Sequence, residues 1–184
     1  MIEDTAELAA SFPGRRVILF TDDIPKQLEL PPGMETGLQG QGDLGTRLTA
    51  ALSECFARNA RKVVVLGSDS PHLPPERLAE ALEALDSADL VLGPAEDGGY
   101  YLIALRRFAP EIFDGVEWGA ACVFDQTRRA AERAGFRVRA LEPFYDLDEW
   151  RDCERLAASC TAGARRTVAA LRMTGFPIIT AGSD

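Results

Sequence analysis

The residues best suited to chemistry in this chain are acidic. Gly67-Ser68-Asp69-Ser70-Pro71 directly follows the apolar run Lys62-Val63-Val64-Val65-Leu66. A continuous β-branched run reads as a strand buried on both faces, which sets Asp69 at its carboxyl end. A carboxylate there is well placed to hold Mg²⁺ against a phosphate. The plainer reading is an Asp in a turn that caps the next helix. A second acidic motif is Asp146-Leu147-Asp148. Alternate residues of an extended segment point the same way, so both carboxylates can reach one site. Held that close they repel unless a cation or a proton lies between them. Here the plainer reading leaves Asp146 solvated and makes Asp148 the cap of a helix starting at Glu149.

Two glycine-rich stretches accompany them. Gly93-Pro94-Ala95-Glu96-Asp97-Gly98-Gly99-Tyr100-Tyr101 carries Asp-Gly-Gly between apolar runs, a turn signal in its own right. If the glycines instead let a substrate approach the backbone, Asp97 can accept its hydrogen bonds and a tyrosine can stack on it. Gln39-Gly40-Gln41-Gly42-Asp43-Leu44-Gly45-Thr46-Arg47 satisfies G-x-G-x-x-G through Gly40, Gly42 and Gly45. A dinucleotide fingerprint needs a buried strand immediately before it. The preceding 31–37, with two prolines and two glycines, reads as a loop, which weighs against a Rossmann dehydrogenase. The start of the next helix can still hold an anion, with Arg47 as a phosphate contact or else a solvated helix arginine. Trp118-Gly119 follows an acidic loop; a lone Trp is as well suited to anchoring a core as to stacking on a ligand. His72, the only histidine, has no partner motif and reads as structural.

The elements that must position these groups alternate. The spacing predicts helices over 2–12, from the Asp43 cap to about Asn59, from Pro74 through Leu85, over 121–134 up to Gly135, over 149–159 and over 164–173. Strands are predicted over 16–21, 62–67, 90–93, 100–105 and 136–141, and the apolar tail Phe176-Pro177-Ile178-Ile179-Thr180 can pair as an edge strand. Strands alternating with helices imply one α/β domain over 1–184, with a mostly parallel sheet and helices on both faces. Ligands bind at the carboxyl ends of such strands.

Bulk properties narrow the partners. Acidic residues outnumber basic ones 29 to 20, a net charge of −9, which argues against broad binding of nucleic acid or an anionic membrane. No apolar run is long enough to span a bilayer, and the acidic first ten residues do not resemble a secretion signal, so a cytoplasmic protein is expected. Cys55, Cys122, Cys153 and Cys160 show no C-x-x-C spacing and read as reduced.

Taken together, Gln39-x-x-Gly42-Asp43-Leu44-Gly45-x-Arg47, Gly67-Ser68-Asp69-Ser70-Pro71, Gly93-Pro94-Ala95-x-Asp97-Gly98-Gly99-Tyr100-Tyr101-Leu102 and Trp118-Gly119 resemble the DUF2064 family in order and spacing. That family groups with nucleotidyl- and glycosyltransferases of the three-layer GT-A-like, nucleotide-diphospho-sugar-transferase fold. It is similar to the 2-phospho-lactate guanylyltransferases and, more distantly, to the molybdenum-cofactor nucleotidyltransferases. The resemblance runs from about Glu3 to Leu171. It implies that Asp69 binds Mg²⁺ or Mn²⁺, with Asp146 or Asp148 as second ligand. It places Gln39 and Gly42, with Arg47, at the nucleotide. Asp97, as a catalytic candidate beside Asp69, falls with Gly98, Gly99, Tyr100 and Trp118 near the acceptor.

Two departures stand out. Ala120 replaces the threonine expected after Trp118-Gly119. Family members open with a strand and a loop of the type K-x-P-x-P-G-x-x-K-T-R-L, which this sequence lacks, so the first, mid-sheet strand is missing. The slot it leaves is expected to be filled by Pro177-Ile178-Ile179-Thr180 or by a partner chain, a second copy included. The expected activity is transfer of a nucleotidyl group from an NTP to a small phosphorylated acceptor. A glycosyltransferase using a nucleotide-sugar, and a catalytically inactive binding domain, are the alternatives.

Overall fold

A computed structural model describes residues 1–159 and 163–173. Helix α1 (Ile2–Ala10) leads into strand β1 (Arg16–Phe20), which pairs in parallel with β2 (Met34–Leu38). Helix α2 (Leu44–Ala57) then leads to β3 (Val63–Leu66), and α3 (Pro75–Ala84) to β4 (Leu90–Pro94). The chain reverses into β5 (Tyr100–Leu105) and passes through a short 3-10 turn (Pro110–Phe113) and α4 (Val123–Arg133) to β6 (Val138–Ala140). Helices α5 (Trp150–Ala158) and α6 (Arg165–Met173) close the described chain. The tail that sequence reading assigns to an edge strand lies outside the described residues.

The strands form two sheets, β1-β2 and β3-β5-β4-β6. Only β5 runs against its neighbours; β4 and β6 pair in parallel, and β3 and β4 both oppose β5. The sheet is therefore mixed, with one reversed strand among co-directional ones. The reversal follows from the turn at Asp97-Gly98-Gly99, which makes β4 and β5 a hairpin rather than two halves of a crossover unit. No described strand joins the two sheets, and Val17 and Leu19 of β1 are 41% and 37% exposed.

β2 corrects the sequence reading, which treats 31–37 as loop. A strand does precede the glycine-rich turn. It is short and solvent-facing, with no fully buried residue, so the buried strand that a dinucleotide fingerprint requires is still absent.

Helices cover both faces of the larger sheet. On one side Leu8 of α1 and Leu78, Ala81 and Ala84 of α3 pack with Val91, Leu102 and Ala104, against Val64 and Leu66. On the other, Leu52 of α2 and Ala131 of α4 pack with Leu90, Leu92, Ile103 and Leu105, against Val63 and Val65. Alternate residues of each strand thus serve opposite layers. The alternation slips once. Gly93 pairs with Leu102 and Pro94 with Tyr100, leaving Tyr101 as an extra residue in a β-bulge. Tyr101 consequently joins the α1/α3 layer beside Leu102, and Tyr100 the α2/α4 layer.

The amino end of β4 is held by Asp89, which is 5% exposed. It accepts hydrogen bonds from Arg106 Nε at 2.9 Å and from the Arg137 backbone N–H at 3.0 Å. The guanidinium and N–H of Arg137 hold its carboxyl well below the usual carboxylate range. Asp89→Asn keeps the shape but loses the charge and one acceptor. It is expected to destabilise the fold by about 2 kcal/mol, measured by urea unfolding at pH 7. Arg166 ties the start of the chain to α6. Arg166 bridges Glu3 (3.1 Å), Glu7 (3.2 Å) and Glu29 (2.8 Å). Buried Asp4 of α1 accepts the N–H groups of Arg166 and Thr167, satisfying the first turn of α6 from another helix.

Candidate functional site

Three separate segments bring four carboxylates to the carboxyl ends of β3 and β4. Asp69 is exposed on the loop after β3, and Ser68 Oγ donates to its Oδ1 at 3.1 Å. Asp97 is exposed at the β4–β5 turn, where it accepts the Gly99 N–H at 2.8 Å. Asp146 and Asp148 follow β6. Asp146 is half-buried and its Oδ1 accepts a short hydrogen bond from Ser70 Oγ. The backbone stitches the segments together: Leu147 N–H donates to the Asp69 carbonyl at 2.9 Å and Glu96 N–H to the Phe144 carbonyl at 3.0 Å. β4 is thereby extended by the bridge between Ala95 and Phe144.

Asp146 and Asp148 feel the other acids. Burial raises the carboxyl of Asp146, Ser70 partly offsets this, and the charges of Asp97, Asp148 and Asp69 raise it further. Asp148 is raised by burial and then by Asp69 and Asp97. A cation would relieve this repulsion. Among the described residues, however, no three His, Cys, Asp or Glu side chains converge closely enough to form a complete protein cage for a metal. A zinc-like site uses three or four protein ligands, whereas Mg²⁺ commonly takes one or two carboxylates and completes its shell with water and substrate phosphates.

Asp148 is not the helix cap of the plainer sequence reading. Glu149 occupies the cap of α5, and its N–H donates to Asp152 Oδ2 at 2.8 Å. Asp148 is left to face Asp69 and Asp97.

The glycine-rich turn leads directly into the capped start of α2. Asp43 caps α2 by accepting the Thr46 N–H at 2.8 Å. Gly42 has φ +106°, a conformation that favours glycine. Arg47 is not simply solvated: Nη1 donates to Gln39 Oε1 at 2.9 Å and Nε to the Asp43 carbonyl at 3.3 Å. Gln39 in turn donates from Nε2 to the Leu19 carbonyl at 3.0 Å. Gln39 and Arg47 therefore form one fixed unit tied to the end of β1.

Gly98 is required where it stands. Its φ is +94°, and a Cβ there would collide with the backbone of Ala121, just before α4. Gly99 lies over the Asp97 carboxylate. Tyr100 is placed otherwise than the stacking reading expects. Its ring meets Trp118 edge-on at 6.5 Å between centroids and its hydroxyl is buried, which raises its pKa. Trp118 also packs edge-on to Phe113 at 5.6 Å and lies tight against Gly45 of α2. Trp118 is thus the core anchor that ties the 115–120 segment to the Gln39–Arg47 turn. The second tyrosine, Tyr101, points into the opposite layer and donates to the Glu142 carbonyl at 3.1 Å.

Sequence reasoning missed the support behind the acids. His72 is 1% exposed and lies against Tyr145 (4.3 Å) and Phe144 (4.8 Å), and both ring nitrogens lack a partner among the described residues. Burial pulls its pKa down to about 4. The two prolines that flank the Pro71-His72-Leu73-Pro74 run signal a fixed loop, but nothing local signals its aromatic neighbours.

With the geometry in place, comparison with known proteins is informative. Residues 5–120 match the model of a family described as an uncharacterised protein conserved in bacteria, DUF2064. The chain belongs to the DUF2064 family. The matched segment of this DUF2064 chain contains Asp69 and Asp97, while Asp146 and Asp148 lie beyond it. Phosphoenolpyruvate guanylyltransferase of Chloroflexus aggregans is 30% identical over 159 residues, 83% of this chain and 74% of that protein. 2-Phospho-L-lactate guanylyltransferase of Methanothermobacter thermautotrophicus is 29% identical over 150 residues, 79% of this chain and 64% of that protein. The DUF2064 chain thus spans under two thirds of the archaeal relative. A crystal structure from Desulfovibrio desulfuricans G20, of a protein proposed to be a nucleotide-diphospho-sugar transferase, superposes with a TM-score of 0.82. It is 31% identical and covers 95% of this chain and 80% of that one. The fold is that of the nucleotide-diphospho-sugar transferases. No helix among the described residues is long and apolar enough to cross a membrane.

Proposed function

We propose that this chain is a nucleotidyltransferase that moves a nucleotidyl group from an NTP, GTP in the first instance, to a small phosphorylated acid and releases pyrophosphate. The observation that carries the reading is the set of four carboxylates that three separate segments bring to the carboxyl ends of β3 and β4; two of the four, Asp146 and Asp148, are raised by burial and by neighbouring acids. The two guanylyltransferase relatives supply the base and the acceptor class.

In this reading Asp69 and either Asp146 or Asp148 hold Mg²⁺ or Mn²⁺. When bound, the ion neutralises charge on the phosphates. Ser70 orients Asp146 through the hydroxyl–carboxylate bond, leaving the other oxygen free for a ligand. The Gln39–Arg47 unit and the capped start of α2 form the nucleotide side, with a helix N-terminus favourable to anions. Asp97 is held by the Gly99 N–H and, with Gly98, borders the acceptor side. Catalysis of this kind is mainly positioning and electrostatics, without a covalent enzyme intermediate.

The structural relative favours a second reading, transfer from a nucleotide-sugar. Products separate the two: pyrophosphate in one case, a free nucleoside diphosphate in the other. The direct test is calorimetric titration of GTP, CTP, UTP and ATP with and without Mg²⁺, followed by assay with phosphoenolpyruvate and 2-phospho-L-lactate. Mg²⁺-dependent binding of GTP and pyrophosphate release are expected. No binding of any nucleotide would leave a non-catalytic binding domain as the account.

A further inference from the structure

Behind the carboxylates runs a stack that belongs to none of the family motifs. Arg155, on the middle of α5, makes a two-pronged pair with Glu96, Nη1 to Oε2 at 2.8 Å and Nη2 to Oε1 at 3.1 Å. The same guanidinium lies over the ring of Tyr145, 3.7 Å from its centroid. Tyr145 in turn meets the ring of His72 at a tilt, 4.3 Å between centroids. Glu96 is the neighbour of Asp97, Tyr145 is the neighbour of Asp146, and His72 closes the loop that starts at Asp69. One side chain therefore touches two of the three acid-bearing segments and reaches the third through a single ring.

We propose that Arg155 is a positioning residue that holds the segments bearing Asp97 and Asp146 against each other, and through His72 the segment bearing Asp69, so that Asp69 and Asp146 are spaced to take a divalent cation. The cation part of this inference rests on the reading given under Proposed function; the strap itself does not. Glu96 and Arg155 are both about half exposed, and an exposed ion pair alone contributes little to folding. What distinguishes this one is the planar fork. It binds both carboxylate oxygens while stacking on an aromatic face, which fixes orientation as well as distance. Lysine can supply the charge but neither the fork nor the flat face.

The test compares wild type with Arg155→Met, Arg155→Lys and Glu96→Gln at the full chain length. Three readouts are taken: Mn²⁺ affinity by titration calorimetry, thermal midpoint, and hydrogen exchange at the Glu96 and Leu147 amides. Those two amides make the bonds that cross between segments. Arg155→Met is expected to weaken Mn²⁺ binding five- to tenfold and to speed exchange at both amides severalfold, with the thermal midpoint nearly unchanged. Arg155→Lys is expected to recover only part of each, and Glu96→Gln to fall between. Unchanged affinity and exchange in Arg155→Met would overturn the proposal. So would loss of both in step with a general fall in thermal midpoint, because that is a purely structural role. If the wild type binds no Mn²⁺, the metal reading fails, and the exchange data alone decide whether Arg155 ties the segments.

Discussion

Asp69→Ala is expected to lower pyrophosphate release from GTP and a phosphorylated acid by about a thousandfold, close to 4 kcal/mol of transition-state stabilisation. Asp69 is exposed, and among the described residues its side chain pairs with the neighbouring Ser68 hydroxyl alone. Its removal therefore takes away little that the fold depends on, and the thermal midpoint should stay within a few degrees of wild type. The loss should fall mainly on kcat, since the charge that a cation held by this carboxylate would neutralise grows as the phosphate bond breaks. Steady-state kinetics with unfolding as a control checks this. A variant with full turnover would move the chemistry away from the carboxyl end of β3. Asp97→Ala is the useful companion, because Asp97 also shapes its own turn through the Gly99 N–H, and its loss should disturb KM as well.

The second large effect concerns His72. A histidine with a folded pKa of about 4 and an unfolded value near 6.5 binds its proton first in the unfolded chain. Its contribution to stability is thus complete above about pH 6.5 and is lost as pH falls toward 4, in total about 3 kcal/mol. The groups around it are Arg155, whose charge opposes protonation, and Asp152, which favours it weakly. Between pH 7 and pH 5 the expected loss is about 2 kcal/mol. His72→Phe retains the aromatic packing against Phe144 and Tyr145 and should abolish that slope, as read from urea midpoints at the two pH values. The raised carboxyls of Asp146 and Asp148 act in the opposite sense, gaining stability as they protonate, but they are common to both proteins and cancel in the comparison. A slope that survives the substitution would assign the acid sensitivity to another group.

The parts of the molecule legible in the sequence are those with strong local signals. The run Val63-Val64-Val65-Leu66 announced β3, and Asp43 followed by a 3.6-period apolar stripe announced α2. Gly135, at φ +74°, ended α4 as its position suggested. β2 was not legible, because Met34-Glu35-Thr36-Gly37-Leu38 is a polar strand paired on one side with β1, following two prolines, and carries neither alternation nor a buried run. The direction of β5 was written in Asp97-Gly98-Gly99, but the alternation of helices and strands pulled the reading toward a parallel sheet.

At the site, residue types on short motifs were readable while partnerships across space were not. The motifs carrying Asp69, Asp97, Asp146 and Asp148 were visible one by one. That Arg47 is held by Gln39, that Asp148 is released from capping by Glu149, and that Tyr100 packs edge-on to Trp118 depend on three-dimensional neighbours. Asp89 is the extreme case. Its partners stand 17 and 48 positions away, and nothing in Ala88-Asp89-Leu90 hints that the carboxylate is buried.

The extra residue at Tyr101 sets a trade between regularity and aim. Without it, Tyr100 and Leu102 would succeed each other in an unbroken ladder against Pro94 and Gly93, and the hairpin would lie flatter and pair more evenly. The turn bearing Asp97 would then be rotated relative to Asp69 and Asp146, since a bulge adds local twist to everything beyond it. A chain shortened by that one residue would also lose a buried ring from the α1/α3 layer and its hydrogen bond to Glu142. The irregularity therefore joins two jobs in one residue, filling the core on one face and turning the loop that carries Asp97.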